Sequence, residues 1–350
     1  MASMPFVSVI IPCLNEQGFV GSCIKSVLAN DYPGEFMEVI VVDGRSTDHT
    51  REEVLQAAEN DNRVRLLDNP SKTQAYALNI GIKAARGQYI LRMDAHAVMA
   101  SDYIRRCITL LETTGADNVG GPYITLPQGN SLQAKIVAAL TSNWIIVGGS
   151  SFRSTDYEGY ADGAGFGAYP KRIFDKIGLF DERLRRSEDN EFNARIRKNG
   201  GRIWLTPRVK VYYYSRSTLF GLFKQAFETG KWNVLALILA PHAFQLRHQA
   251  PGLILIAWLL GLIGWFGSHL WMPAIYLLLL PAFHILGITV AGVMMAFQHG
   301  FSIGLLGVPC AICYHLVYGS GILLGWALAL SRRYPSIMPA RGTFHGSSPA

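Results

Sequence analysis

The chain has 350 residues, half of them hydrophobic, and its 32 Lys and Arg against 25 Asp and Glu give a formal net charge of +7. That length holds one α/β domain of about 200–250 residues plus a smaller unit. The basic residues form no single block and flank an apolar tail, as expected beside an anionic cytoplasmic leaflet, so nucleic acid is excluded as a partner; five cysteines, an odd number, exclude a secreted disulfide scaffold.

Val7–Ile11, VSVII, reads as a buried strand, and Pro12, Asn15 and Glu16 follow its end. Gln17–Leu28 reads as a helix and Glu38–Val42 as a second strand, ending in Asp43. Two parallel strands thus deliver polar groups to one sheet edge, where open α/β folds bind ligands. Ser46 or Thr47 caps a helix over Asp48–Glu59, and Val64–Leu67 is a third strand. Thr73–Ala85 is a helix closed by Gly87, and Tyr89–Met93 a fourth strand with Asp94, Ala95 and His96 at its C-terminal end. This alternation is a doubly wound half-domain. No GxGxxG follows the first strand, which excludes a dinucleotide fold.

Past Ala97 the pattern changes. Asp102–Glu112 reads as a helix, Val119–Ile124 as a strand, and Leu132–Trp144 as an apolar helix suited to a surface near a bilayer. Gly148–Gly167 reads as loop with short strands. Helices follow at Arg172–Ile177 and Asp189–Asn199, strands at Arg202–Leu205 and Val209–Tyr214, and an amphipathic helix at Ser217–Thr229. From His248 to Ser331 there is no Lys, Arg, Asp or Glu. Pro251–Gly267, Leu270–Phe297 and Ile303–Leu330 are apolar on every face; the first is at the lower length limit for a span, and the others cross with tilt. Arg247 before these segments and Arg332 and Arg333 after them both prefer the cytoplasm, which three full crossings do not satisfy. Asn233–Leu246 therefore reads as an interfacial helix or a short span, and Pro251–Gly267 as a crossing or a re-entrant segment. Cys310 and Cys313, spaced CAIC, read as small buried residues.

The expected division is a cytosolic domain over 1–232 (a first half, 1–96, and a second half, 97–232), an interfacial connector over 233–250, transmembrane helices over 251–330 and a polar tail over 331–350. The first apolar run, Phe6–Leu14, is short and contains Pro12, so no signal peptide is expected and the catalytic half belongs in the cytosol. The expected location is the inner, cytoplasmic membrane.

Asp94 and His96 lie two apart, so one turn aims both at a single ligand, with Asp43 behind them. A carboxylate and an imidazole share a divalent cation, Mg²⁺ or Mn²⁺, which neutralises a diphosphate leaving group. Glu188 and Asp189 start a helix that Phe192 and Ile196 fix against the core, as a general base at Asp189 requires. Gly163, Gly165 and Gly167 permit close approach of backbone to ligand. In KQAFETGKW, Lys231 suits a phosphate and Trp232 a sugar face, with a snorkelling interfacial pair as the alternative. Glu188, Gly165, Lys231 and Trp232 are thus expected on the acceptor or phosphate side.

Together IPCLNE, VVDGRSTD, MDAH, GLFDERLRRSEDNEF and the GKW segment resemble, in order, the motifs of the inverting family 2 glycosyltransferases, over roughly Phe6 to Trp232. The resemblance implies a GT-A fold, an α/β nucleotide-sugar-binding fold here joined to an all-helical transmembrane region. It implies that Asp43 contacts the nucleotide base or ribose, that Asp94 and His96 bind ribose and metal, that Pro12, Asn15 and Glu16 belong to the donor site, and that Asp189 is the general base. His96 stands where the family has a second Asp. Gln225, Lys231 and Trp232 match the family's QxxRW only loosely, which disfavours a processive polymerase. The chain looks most like bacterial glucosyltransferases of succinoglycan and exopolysaccharide assembly, which implies a UDP-sugar donor, a polyprenyl-diphosphate-linked saccharide acceptor and a β linkage. A polyprenyl-phosphate sugar synthase and a non-enzymatic membrane receptor or transporter component are the rival readings.

Overall fold

A computed structural model describes residues 4–149, 157–243, 248–267 and 272–331. The expected polar tail from 332 onward, and residues 150–156 of the Gly148–Gly167 segment, lie outside the described residues.

The first half alternates strand and helix as its hydrophobic pattern requires: β1 (Val7–Cys13), α1 (Val20–Leu28), β2 (Met37–Asp43), α2 (Thr50–Asn60), β3 (Val64–Asp68), α3 (Gln74–Ala84) and β4 (Tyr89–Arg92). Every residue of β1 and β2 is buried, as expected of parallel strands covered on both faces. The four strands pair in parallel in the order β3-β2-β1-β4. Register sets Cys13 beside Asp43 and Asp43 beside Asp68, so these strand ends are level along one edge. Ile10 pairs with Arg92, and the chain then carries Asp94 and His96 over that same edge.

The second half contributes β5 (Ala97–Met99), α4 (Tyr103–Thr114), β6 (Asn118–Gly121), β7 (Tyr123–Leu126), α5 (Leu132–Ser142), β8 (Gly159–Tyr160), β9 (Gly165–Pro170), α6 (Arg172–Ile177), α7 (Glu188–Lys198), β10 (Ile203–Leu205), β11 (Val211–Tyr214) and α8 (Leu219–Leu239). It completes an eight-stranded sheet, β3-β2-β1-β4-β9-β6-β10-β8, and builds a small sheet, β5-β11-β7, beside it. Two sequence expectations change here. The strand expected over Val119–Ile124 is two strands in different sheets, because Pro122 interrupts the ladder and lets the chain cross between them. The glycine-rich run expected as loop with short strands leads into β9, a fully buried central strand antiparallel to both β4 and β6 that runs past its end. Its glycines mask its strand character; a Cβ on Gly165 would lie 1.8 Å from the Tyr123 hydroxyl, so the small residue makes room for that ring.

Two hydrophobic clusters occupy the faces of the large sheet. One joins β1 and β2 to α1 and α4 through Val9, Ile24 and Ile108; the other joins Ile10 and Ile40 to α3 and α7 through Leu78 and Phe192.

The tail forms α9 (Ala250–Gly267), a 3₁₀ turn (Met272–Leu278), α10 (Leu279–His299) and α11 (Phe301–Leu330). Three helices, Ala250–Gly267, Ile275–His299 counting the end of the turn, and Phe301–Leu330, are long and apolar enough to span a membrane, and most of their surface is bare. They form a multi-pass membrane region with the α/β domain on its cytosolic side. Helix α8 runs ten residues beyond the expected end at Thr229, so the boundary drawn after Trp232 falls inside it. It crosses α11 closely, since a Cβ on Gly230 would lie 2.3 Å from the Tyr318 carbonyl oxygen and one on Gly321 2.1 Å from that of Phe227. Helix α5 meets the same bundle rather than a bare bilayer surface, packing Ile136 and Leu140 with Leu222, Ile288 and Ala311. Cys310 is half-buried and Cys313 exposed, not both buried as expected.

Candidate active site

A cavity of about 280 Å³ opens at the C-terminal edge of the parallel strands. Pro12 lines it from the end of β1 and Glu16 from the loop that follows, Asp94 and His96 line it after β4, and Gln225 from α8. Lys72, Arg185, Arg186 and Arg216 add four cations to its wall. Burial and the like charge of Arg216 hold Arg186 below the usual guanidinium value, a repulsion that a bound anion relieves.

Asp94 Oδ1 accepts from Gln74 Nε2 at 3.0 Å and from Arg92 at 3.4 Å, and among the described residues no hydrogen bond or ion pair falls on Oδ2. His96 Nδ1 lies 2.9 Å from Glu16 Oε1. A carboxylate only accepts, so Nδ1 carries the proton and Nε2 is the nitrogen left to face a ligand. Burial pulls the His96 pKa down, but the Glu16 hydrogen bond and the charges of Glu16 and Asp94 outweigh it and hold it above the ordinary imidazole value. Tyr213 of β11 packs its ring edge-on to His96 at 5.0 Å. Among the described residues, no three His, Cys, Asp or Glu side chains gather as a cation cage. A divalent cation fits here only in the mode in which one or two protein ligands hold it and substrate phosphates complete its shell.

Asp43 and Asn15 stand behind this cavity. Asp43 is fully buried; it accepts from the Ser46 hydroxyl at 2.5 Å and from Arg51 at 2.7 Å, and Arg51 also reaches Asp68 at 2.7 Å. Burial raises its pKa, and the Ser46 and Arg51 bonds more than offset this to leave it low. Asn15, at φ 55°, accepts from the Thr47 N–H at 2.8 Å and props the loop after β2.

Arg92, which the sequence reading passed over, is the hub of the site. Only 8% exposed, it contacts Asp94 at 3.4 Å and Glu188 at 3.1 Å, tying β4 to the start of α7. Burial drives Glu188 up to about 7; attraction to Arg92 opposes this and the neighbouring Asp189 adds to it. One guanidinium cannot compensate three nearby carboxylates. Asp189, half-buried, accepts the Asn190 N–H at 2.8 Å in the first turn of α7, where the helix dipole favours negative charge. Ser187 precedes it at φ 64°, fixing the turn that aims the helix start.

The remaining expected residues lie elsewhere. Lys231 pairs with Glu228 at 2.7 Å, and Trp232, 4% exposed, packs on Ile322 of α11 and donates to Glu228 at 3.2 Å. Neither lines this cavity, although Arg185, which does, stacks 5.4 Å from the Trp232 ring. Gly165 lies within β9 against Tyr123. The sequence signal for the missed cations was present in LRRSED and RMDAH, where arginines adjoin the acidic residues.

Residues 8–178 match the description "Glycosyl transferase family 2". The succinoglycan biosynthesis protein ExoA of Rhizobium meliloti is 31% identical over 321 residues, covering 89% of this chain and 92% of the relative. The chain belongs to glycosyltransferase family 2. This family 2 enzyme is also 30% identical over 262 residues to succinoglycan biosynthesis protein ExoO of the same organism, covering 71% of each chain. A Methanococcus voltae protein named dolichyl N-acetyl-alpha-D-glucosaminyl phosphate 3-beta-D-2,3-diacetamido-2,3-dideoxy-beta-D-glucuronosyltransferase is 29% identical over 235 residues, covering 65% of this chain and 72% of the relative. Among solved structures, the mannosyltransferase PcManGT from Pyrobaculum calidifontis, in complex with GDP-Man and Mn²⁺, superposes with a TM-score of 0.54 at 19% identity over 95% of this chain and 89% of that one, a likeness of fold. The α/β domain is thus a GT-A-like unit that transfers a sugar from a nucleotide-sugar donor in glycan assembly.

Proposed function

We propose that the chain moves a hexose, glucose first among candidates, from a UDP-sugar to a polyprenyl-diphosphate-linked saccharide on the cytosolic face of the membrane. The observation that supports this most is the donor cavity: four cations and one open-sided carboxylate at the sheet edge, linked through Arg92 to the helix that starts at Glu188 and Asp189. The acceptor hydroxyl gives its proton to Asp189 as its oxygen bonds to C1 of the sugar. The C1–O bond to the diphosphate breaks on the opposite side, and its electron pair leaves with UDP, so the configuration inverts. Lys72, Arg185, Arg186 and Arg216 bind the departing charge. Asp94, with Nε2 of His96, would hold a Mg²⁺ or Mn²⁺ ion that neutralises the diphosphate. Glu16 orients His96, and Asp43 holds Arg51 and the loop at the nucleoside end. Gly165 packs against Tyr123, Trp232 packs against Ile322 and Lys231 pairs with Glu228, rather than touching substrate.

One named relative, the enzyme named for a dolichyl sugar phosphate, supports a lipid-linked saccharide as acceptor, and the succinoglycan protein supports a role in polysaccharide assembly. Anchoring the catalytic domain on membrane helices supplies the high local concentration that such an acceptor needs. The test is a donor panel of UDP-glucose, UDP-galactose, UDP-N-acetylglucosamine and GDP-mannose, with carbon-13 NMR of the product. UDP-glucose turnover with a β linkage is expected. Preference for another donor rejects the glucose assignment, and a retained α linkage rejects single displacement.

A further inference from the structure

A second cavity, of about 330 Å³, lies between the catalytic domain and the membrane helices. Ser187 and Asn190 line it from α7 and the turn before it, Gln225, Thr229 and Asn233 from α8, and Tyr318 from α11. It adjoins the donor cavity, for Gln225 lines both, and the residues at either end of the Ser187–Asn190 turn, which carries Asp189, form one of its walls. Leu222, Pro251 and Ile254 supply an apolar side toward α9.

The two cavities differ in charge. The donor cavity is lined by Glu16, Asp94 and four Lys or Arg residues. Among the described residues, no Asp, Glu, Lys or Arg lines the second. Arg186, which lines the donor side, reaches Thr229 Oγ1 at 3.4 Å across the partition. What the second cavity offers instead is neutral donors and acceptors held in a fixed array. The Ser187 hydroxyl donates to Asn233 Oδ1 at 2.9 Å, and Asn233 Nδ2 donates to the Tyr318 hydroxyl at 2.8 Å. His315 of α11, another lining residue, holds the Ile146 carbonyl at 2.8 Å, pinning the segment after α5 to the membrane bundle.

Amides and hydroxyls beside an aromatic ring suit a polyol, whereas a phosphate or carboxylate brought here would meet no Lys or Arg among the described lining residues, only the imidazoles of His248 and His315, and would lose its hydration at a cost. The volume is at the lower end for small-molecule sites, enough for about one sugar unit. We infer that this cavity binds an uncharged terminal sugar of the acceptor, and so selects neutral lipid-linked saccharides against both acidic sugars and bare lipid phosphates. The inference rests on the transferase reading above and adds the acceptor's chemical class to it. It also separates the enzyme from polyprenyl-phosphate sugar synthases, whose acceptor brings its phosphate to the reacting centre.

The test uses the full-length protein in lipid nanodiscs with its preferred UDP-sugar and three synthetic acceptors on one polyprenyl chain. These are a diphosphate-linked hexose, a diphosphate-linked hexuronic acid and the polyprenyl phosphate. Turnover on the hexose should exceed that on either other acceptor by roughly 100-fold or more. Thr141, half-buried in the last turn of α5, also lines the cavity, and a lysine there suits the C-terminal end of the helix. T141K should lower the hexose-to-hexuronate ratio about tenfold or more, chiefly by raising turnover on the uronate. Equal or faster turnover of the hexuronic acid or the lipid phosphate by the unaltered enzyme, with UDP binding intact by calorimetry, overturns the inference and leaves the transferase reading standing. Loss of UDP binding and of all transfer overturns both.

Discussion

Replacing Arg92 by methionine keeps the volume of the side chain and removes the charge that links Asp94 to Glu188. Both partners are well covered: side-chain exposure is 10% for Arg92, 20% for Asp94 and 4% for Glu188. Breaking a buried ion pair by deleting one partner costs about 3–5 kcal/mol, because the other charge is left uncompensated. For a domain of this size that corresponds to a Tm lower by roughly 6–20 °C at pH 8. Glu188 makes the loss depend on pH. Its carboxyl lies near 7 rather than the ordinary 4.5. A folded carboxyl with a raised pKa gives stability that is present below the unfolded value and lost as pH rises through the folded value. Attraction to Arg92 lowers the pKa of Glu188, so R92M pushes that pKa higher and extends the loss to higher pH. The gap between variant and parent should therefore narrow, by about 1 kcal/mol, on going from pH 8 to pH 6. Adding Glu188→Gln should recover part of the pH 8 loss. Scanning fluorimetry in one detergent at one scan rate reads all three. An R92M protein within about 1 °C of the parent at pH 8 would refute the reasoning.

Asp94→Ala should abolish the metal-dependent part of UDP binding and His96→Ala should weaken it, as read by calorimetry with Mg²⁺ and Mn²⁺; unchanged metal dependence in Asp94→Ala removes it from the site. Trp232→Ala empties a buried contact between α8 and α11 and should cost about 3–5 kcal/mol of stability, read as a lower Tm; an unchanged Tm would return Trp232 to the list of substrate contacts. Burial raises the pKa of Glu38, but the Arg86 N–H at 2.8 Å, the Ser8 hydroxyl at 2.7 Å and Arg65 at 3.1 Å outweigh it and hold it low. Its stabilising share is present above the ordinary 4.5 and lost as pH falls through the folded value, so Glu38→Gln should lower Tm at pH 7 and flatten the acid limb below about 4.5; a parallel acid limb would show that Glu38 does not carry that loss.

The nucleotide half was legible because its physics is local. Unbroken β-branched runs made β1 and β2 plain, and the polar residues just past their ends, with Asp94 and His96 past β4, fell at one edge once the strands paired in parallel. The second half is built by long-range pairing. Gly165–Pro170 has no hydrophobic alternation to mark it, yet it lies between β4 and β6, and Pro122 hides a change of sheet inside what reads as one strand. Arg92 was missed for the same reason: its partner Glu188 is remote in sequence, and only the fold brings the two together. Lys231 and Trp232 read as ligand contacts because a cation suits a phosphate and an indole a sugar face, but the continuation of α8 turns the tryptophan onto α11.

Single-turnover sugar transfer by Asp189→Asn tests the catalytic assignment most directly, with UDP calorimetry and circular dichroism as controls. The asparagine keeps the shape of the side chain at the start of α7 and removes its basicity. Transfer slower by roughly 10²–10⁴-fold, with UDP affinity and fold unchanged, is the outcome expected of a general base. Near-parental transfer by a folded Asp189→Asn protein would mean that the acceptor proton leaves by another route and that Asp189 only starts the helix.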